Sequence, residues 1–328
     1  MRSDKALLLL IMLTSGWTIV RAQTPFKTLN WLYQISGTRT LAGQHNREPN
    51  AQPARWTTQM QALTGHYPAL WSGDFLFQAD NIDHRATMIQ EAKTQWKQGA
   101  LINLMWHACN PALAQPCGWD SLGVLSHLTD GQWQELLTDG SGLNRTWKAR
   151  MDEVAIFLQE LQQERVEVFF RPLHEMNQGR FWWGGRPGPT GTAQLYRLTH
   201  DYLVNQKRLT NLIWVWDVQD FGTLVTDVQV YNPGNAYWDV AALDVYDGSG
   251  YTMAKYETMV AVAKGKPVAI GECQVLPTAS QLKAQPKWTF FMGWSELVLS
   301  HNSTQAIQAL YQAPNVLTLD ELPAFFKP

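Results

Sequence analysis

The sequence predicts an α/β protein whose eight parallel strands close into a single (β/α)8 barrel. Three observations carry that expectation. Eight short apolar runs, rich in β-branched and aromatic residues, alternate with helix-like stretches, and such alternation implies a parallel sheet. The length of 328 residues suits a barrel of typically ~250 residues with insertions. A doubly wound open sheet is the competing architecture, but no glycine-rich phosphate fingerprint follows the first run.

The runs begin after a separate leader. Arg2 and Lys5 precede the apolar stretch Ala6–Leu13, and a small residue, Ala22, ends the segment. That order predicts a secretory signal peptide over residues 1–22. An uncleaved anchor is the alternative, but the run from Ala6 to Val20 is short for a membrane span and is broken by Thr14, Ser15 and Gly16. Residues 23–328 are then expected to be one exported catalytic domain, extracellular or, in a bacterium, periplasmic, with no membrane association after cleavage. The strand-like runs are Thr40–Asn46, Tyr67–Phe75, Ala100–His107, Val166–Glu175, Asn211–Gln219, Val240–Asp247, Lys266–Gln274 and Trp288–Glu296. Before the fourth, Trp147, Met151, Val154, Ala155, Leu158 and Leu161 recur at spacings of three and four, which predicts an amphipathic helix ending at "QQER". A long loop follows the third run, from Ala108 to about Asp130. It is bracketed by Cys109 and Cys117, expected to form a disulfide in an oxidising compartment. Two buried thiols that never meet are the alternative. Cys273 is left as a buried small hydrophobe. Asn144 and Asn302 stand in glycosylation sequons, which would matter in a eukaryotic source.

Charge removes one class of partner. Taking away residues 1–22 moves the formal net charge from −2 to −4, since three cations and one anion leave. No lysine- or arginine-rich block remains, so a nucleic-acid footprint is missing. Sixteen tryptophans outnumber ten tyrosines and twelve phenylalanines. Flat apolar faces with a polar edge suit sugar rings, although most of these tryptophans are expected in the core.

In (β/α)8 barrels the chemistry sits where strands end and βα loops begin. The ends of the eight runs carry Gln44-His45, Asp74, His107, His174-Glu175, Asp217, Tyr246-Asp247, Glu272 and Trp294. A strand-end aspartate often caps the next helix, and a lone histidine is usually structural. Glu175 and Glu272 differ, because each ends a strongly apolar run where an ionised carboxylate is costly without a purpose. Two carboxyl groups at one rim are the minimal apparatus of glycoside hydrolysis: one protonates the departing oxygen, the other attacks the anomeric carbon or activates water. Phe181-Trp182-Trp183, just after Glu175, would supply a sugar-binding surface. Other chemistries fit worse. "HEMNQ" has Gln178 where a zincin helix needs its second histidine, no G-x-S-x-G elbow is present, and the eight histidines lack metal-ligand spacing. No metal or cofactor is expected.

At these residues the sequence resembles glycoside hydrolase family 26, whose best-known members are endo-β-1,4-mannanases. "RPLHEMN" followed by "FWWGG" carries the resemblance, with "ALWSGD", "WHACNP", "LDVYD" and "AIGECQ" in order around it. It covers nearly all of residues 23–328 and implies a TIM barrel with its glutamates on strands four and seven. It further implies Glu175 as acid/base and Glu272 as nucleophile of a retaining mechanism. His107, Arg171, His174, Phe181, Trp182, Tyr246 and Trp294 would form the substrate-binding set. In it Tyr246 would hydrogen-bond the nucleophile and Arg171, on the same strand face as Glu175, would keep the nucleophile ionised. One departure stands out: Arg180 takes a place where many members have tryptophan. The expected activity is therefore a secreted, monomeric endo-β-1,4-mannanase acting on mannan, glucomannan or galactomannan. A β-glucanase or β-1,3-xylanase with the same machinery, or a non-catalytic carbohydrate-binding barrel, are the alternatives.

Overall fold

The computed structural model describes residues 23–326; the expected signal peptide lies outside them. Eight strands form the barrel: β1 (Thr40–His45), β2 (Leu70–Phe75), β3 (Leu101–Trp106), β4 (Val168–Pro172), β5 (Leu212–Gln219), β6 (Val240–Val245), β7 (Val268–Cys273) and β8 (Trp288–Gly293). Each pairs in parallel with its successor, and β8 closes on β1 through Leu41–Gln44 against Phe290–Gly293. A two-residue β9 (Val316–Leu317) joins the N-terminal end of β1, so this end of the seam is reinforced. Nearly every strand residue is buried, the signature of a sheet covered on both faces, which is why the strands read as unbroken apolar runs.

Helices between the strands supply the outer layer. The clearest, Gly142–Gln163, buries all six residues of the expected stripe, from Trp147 to Leu161. Ser141 caps it by accepting the N–H of Asn144 at 3.2 Å. Most tryptophans are core, as expected: Trp106 and Trp147 stack at 4.8 Å, and Trp182 meets Trp147 edge-on. Both sequon asparagines are used by the fold. Asn144 is fully buried and donates to the Leu136 carbonyl, while Asn302 donates to the carbonyls of Gln274 and Val298. Among the described residues no helix is long and apolar enough to cross a membrane.

Two strand expectations need correction. The fourth run extends as a strand only from Val168 to Pro172, not to Glu175. Leu173 and Glu175 adopt φ of 52° and 49°, left-handed conformations that no strand continues through. Glu175 is therefore on the loop, and Arg171 and Glu175 do not share a strand face. The eighth run likewise stops at Gly293, because Ser295 has φ 40° and starts the short helix Ser295–His301.

Cys109 and Cys117 are bridged, and Cys273 is free and buried. The bridge closes a loop with a sequence separation of 8, for which chain-entropy arithmetic gives about 2–3 kcal/mol. Cys109→Ser/Cys117→Ser should lower the melting temperature by roughly 5 °C in calorimetry. An unchanged melting temperature would mean that Arg150, which donates to the carbonyls of Cys109 and Leu113, holds the loop alone.

Candidate active site

The C-terminal ends of the strands surround a cavity of about 590 Å³. At its floor lies Arg171, on β4 and almost fully buried. An arginine survives there only with compensating charge, and the neighbouring strands provide it. Its Nε faces Asp217 Oδ2 of β5 at 3.2 Å, and Nη2 donates to Asp244 of β6. Nη1 and Nη2 donate to Glu272 Oε1 of β7 at 2.7 and 2.8 Å. The other oxygen of Glu272, Oε2, accepts from the Tyr246 hydroxyl at 2.9 Å. Both oxygens of Glu272 are thus met by donors. Gly271 makes the arrangement possible: a Cβ there would lie 2.5 Å from Asp217 Oδ2 and 2.6 Å from Asp244 Oδ1.

Glu175 stands across the cavity floor. Its left-handed backbone turns the chain so that its N–H donates to Asp217 Oδ1 at 2.8 Å. A non-glycine residue in this region costs on the order of 1 kcal/mol or more, and the bond to Asp217 fixes it in place. Single carboxylate oxygens of Glu175, Asp244 and Glu272 lie within 4.8 Å of one another. Three such groups resemble a cation site, but the guanidinium of Arg171 already occupies the charge of two of them.

The two glutamates are electrostatically unequal. Burial, with the nearby charges of Glu272 and Asp217, raises Glu175 well above the usual carboxylate range. Burial also raises Glu272, to about 7, but Arg171 and the Tyr246 hydroxyl pull in the other direction. A shared proton therefore resides on Glu175 and the negative charge on Glu272.

Three histidines form the adjoining wall. His107 Nδ1 meets Asp74 Oδ2 at 2.6 Å, which orients the ring. His174 packs against His107 at 4.4 Å, and burial holds it well below the usual histidine range, so its ring is neutral. His45 lies beneath the wall, stacked on Trp294 at 4.2 Å, and burial lowers it to about 3.

Of the residues expected from sequence, Glu175, Glu272, His107, His174, Phe181, Tyr246 and Trp294 all line the cavity. Two do not. Trp182 turns into the core, where its indole N–H donates to the Ala108 carbonyl at 2.8 Å, so it offers no face to a sugar. Phe181 instead lines the cavity, backed by Trp183 stacked at 4.4 Å. Arg171 sits beneath Glu272 and serves that carboxylate rather than the substrate. Trp119, Gln178 and Gln274 line the cavity and were not expected. Trp119 is 47% exposed and follows Cys117 by two residues; Arg180 lies over its ring at 5.5 Å. The cysteine-bracketed loop was the available signal for it.

Two carboxyl groups facing each other at the rim of a (β/α)8 barrel, one raised further than the other, form the kind of pair that glycoside hydrolysis requires. Comparison with known proteins agrees. The sequence model of glycosyl hydrolase family 26 matches residues 20–321. A mannan endo-1,4-beta-mannosidase of Thermothelomyces thermophilus is 32% identical over 306 residues, covering 89% of this chain and 60% of its own. One from Bacillus subtilis is 27% identical, over 92% of this chain and 87% of its own. The solved structure of GH26A from Muricauda sp. superposes with a TM-score of 0.84 at 34% identity, over 90% of this chain and 96% of that one. The chain belongs to glycosyl hydrolase family 26. It spans 60% and 58% of the length of the first two curated relatives it matches.

Burial is the first cause of the raised Glu175 and the Glu272 charge adds to it, so removing that charge should lower the Glu175 pKa. In Glu272→Gln, infrared difference titration should find the Glu175 carboxyl stretch disappearing at lower pH than in the wild type. The band would be assigned by its loss in Glu175→Gln. A titration at unchanged or higher pH would contradict the coupling.

Proposed function

We propose that this chain is a secreted endo-β-1,4-mannanase that cleaves mannan-type polysaccharides by double displacement, as a monomer and without a metal. The observation that carries this reading is the facing pair: Glu272, held by Arg171 and Tyr246, opposite a protonated Glu175. Oxygens of the two groups lie within 4.8 Å. That separation favours direct attack by a carboxylate; inverting enzymes need ~6.5–9.5 Å between the groups to admit a water.

In the first step Glu272 attacks the anomeric carbon while Glu175 gives its proton to the glycosidic oxygen. The C–O bond breaks, the shortened chain leaves, and a glycosyl ester forms on Glu272. Esterification removes the Glu272 charge, which together with burial had raised Glu175, so Glu175 is more easily held as a carboxylate than before. In the second step it takes a proton from water, whose oxygen attacks the same carbon, and Glu272 departs as a carboxylate into the hydrogen bonds of Arg171 and Tyr246. The coupling between two groups reverses the role of one of them.

The substrate assignment rests on the relatives' names, which are mannan endo-1,4-beta-mannosidases in two distant sources. Export rests on the basic, apolar, small-residue order of residues 1–22, and a disulfide suits that compartment.

Residues 23–328 should release reducing sugar from glucomannan and galactomannan, and not from barley β-glucan or β-1,3-xylan. Glu272→Ala should lose at least about three orders of magnitude in kcat. Glu175→Ala should lose far more on the polysaccharide than on an aryl mannoside whose leaving group needs no proton. Release only from β-glucan or xylan would keep the machinery and discard mannan. Binding without release from any polymer would make this a sugar-binding barrel.

A further inference from the structure

Outside the cavity, a second buried charge cluster has no part in the chemistry described above. Lys255 lies in the first turn of the helix Met253–Ala263, whose N-cap Thr252 accepts the Lys255 N–H at 3.3 Å. Its side chain is only 10% exposed, and all three ammonium donors are used. Nζ donates to Asp220 Oδ2 at 2.6 Å, to Asp247 Oδ1 at 2.7 Å and to the Gly250 carbonyl at 3.0 Å. Asp220, one residue past the end of β5, is fully buried. Its other oxygen, Oδ1, accepts the backbone N–H groups of Tyr246 at 3.0 Å and Asp247 at 3.1 Å. Its own N–H donates to the Asp244 carbonyl at 3.1 Å.

The direction of this chain of contacts gives it meaning. Tyr246 is the first residue beyond β6, where strand pairing no longer fixes the backbone. Its hydroxyl must still reach Glu272 Oε2 at 2.9 Å, across from β6 to β7. Asp220 grips the backbone nitrogen from which that ring projects, and Lys255 holds Asp220. The loop from Asp247 to Gly250 includes two glycines at positive φ and is otherwise tied by Ser249, which donates twice to Asp247. Burial works to raise Asp247, yet hydrogen bonds from Lys255 and Ser249 bring it down to about 2, so Asp247 stays ionised across the neutral range, while burial raises Asp220 against the hydrogen bond from Lys255. A buried charge is expensive to keep unless it is paired and hydrogen-bonded, as Lys255 is by Asp220, Asp247 and Gly250.

We propose that Lys255 and Asp220 are positioning residues for the proposed nucleophile, acting through the backbone of Tyr246 to hold its hydroxyl on Glu272. The inference rests on the assignment of Glu272 above. Removing the clamp lets the hydroxyl drift, and a carboxylate that loses a donor is harder to ionise. Glu272 also faces Arg171 on β4, Asp217 on β5, Asp244 on β6, His107 after β3 and Glu175, none of which touches Lys255. Their contribution to its titration therefore stays in place when the clamp is removed.

The test is a double-mutant cycle on glucomannan with Lys255→Gln, Tyr246→Phe and both together, beside Glu272→Ala. Lys255→Met would be run in parallel, with circular dichroism and assays well below each melting temperature. Lys255→Gln and Tyr246→Phe should each lower kcat/KM about tenfold, mainly through kcat, and move the acid limb of the pH profile to higher pH. In the Tyr246→Phe background, Lys255→Gln should cost less than about twofold and shift the acid limb no further. Multiplying losses, or a pH shift that persists without the hydroxyl, would mean that Lys255 acts by its charge or on the fold, and would overturn the proposal. So would wild-type activity in both Lys255 variants. Activity persisting in Glu272→Ala would instead remove the nucleophile assignment itself.

Discussion

One buried guanidinium organises the site. Arg171 meets Asp217, Asp244 and Glu272 from three successive strands, while Glu175 faces the same group of charges from the loop after β4. Four buried carboxyl groups share one cation, so they cannot all be ionised. Burial and mutual repulsion raise Asp244 as well as Glu175 well above the usual range. The position of each donor decides where the charge remains: two contacts from Arg171 and one from Tyr246 converge on Glu272, and no donor among the described residues meets the side chain of Glu175. The proposed acid and the proposed nucleophile are thus the same residue type made unequal by their surroundings.

The barrel supplies what this requires of geometry. Parallel strands end together at one rim, so residues at the ends of β4, β5, β6 and β7 come within reach of one another although they are up to 101 positions apart in sequence. Two local devices refine the placement. The left-handed conformation at Glu175 aims the carboxyl across the cavity instead of along the strand, and Gly271 leaves room beneath Glu272 for two aspartates. His45 and His174 on the adjoining wall are kept neutral by burial, so they add surfaces without adding charge.

How much of this was legible in the sequence depended on whether the determining contacts are local. All eight strands could be read, since buried parallel strands must be short unbroken apolar runs. Glu175 and Glu272 stood out because a carboxylate at the end of such a run needs a reason. The adjacent pair Phe181 and Trp182 could not be sorted, because on a loop no periodicity says which ring turns inward. The supposed shared face of Arg171 and Glu175 failed for a related reason: alternation applies within a strand, and two left-handed residues end it. Asp244 looked like an unremarkable strand residue, since its partner Arg171 lies 73 positions away. Trp119 had only the cysteine bracket to draw attention to its loop.

The central claim is that Glu272 carries the charge and forms the bond. It is tested most directly by trapping with a 2-deoxy-2-fluoro mannosyl donor bearing a good leaving group, followed by proteolysis and mass spectrometry of the modified peptide. One glycosyl ester is expected, on the peptide containing Glu272 and absent from Glu272→Ala. An ester on Glu175 or Asp244, or no ester from a turning-over enzyme whose first product has inverted configuration, would contradict it.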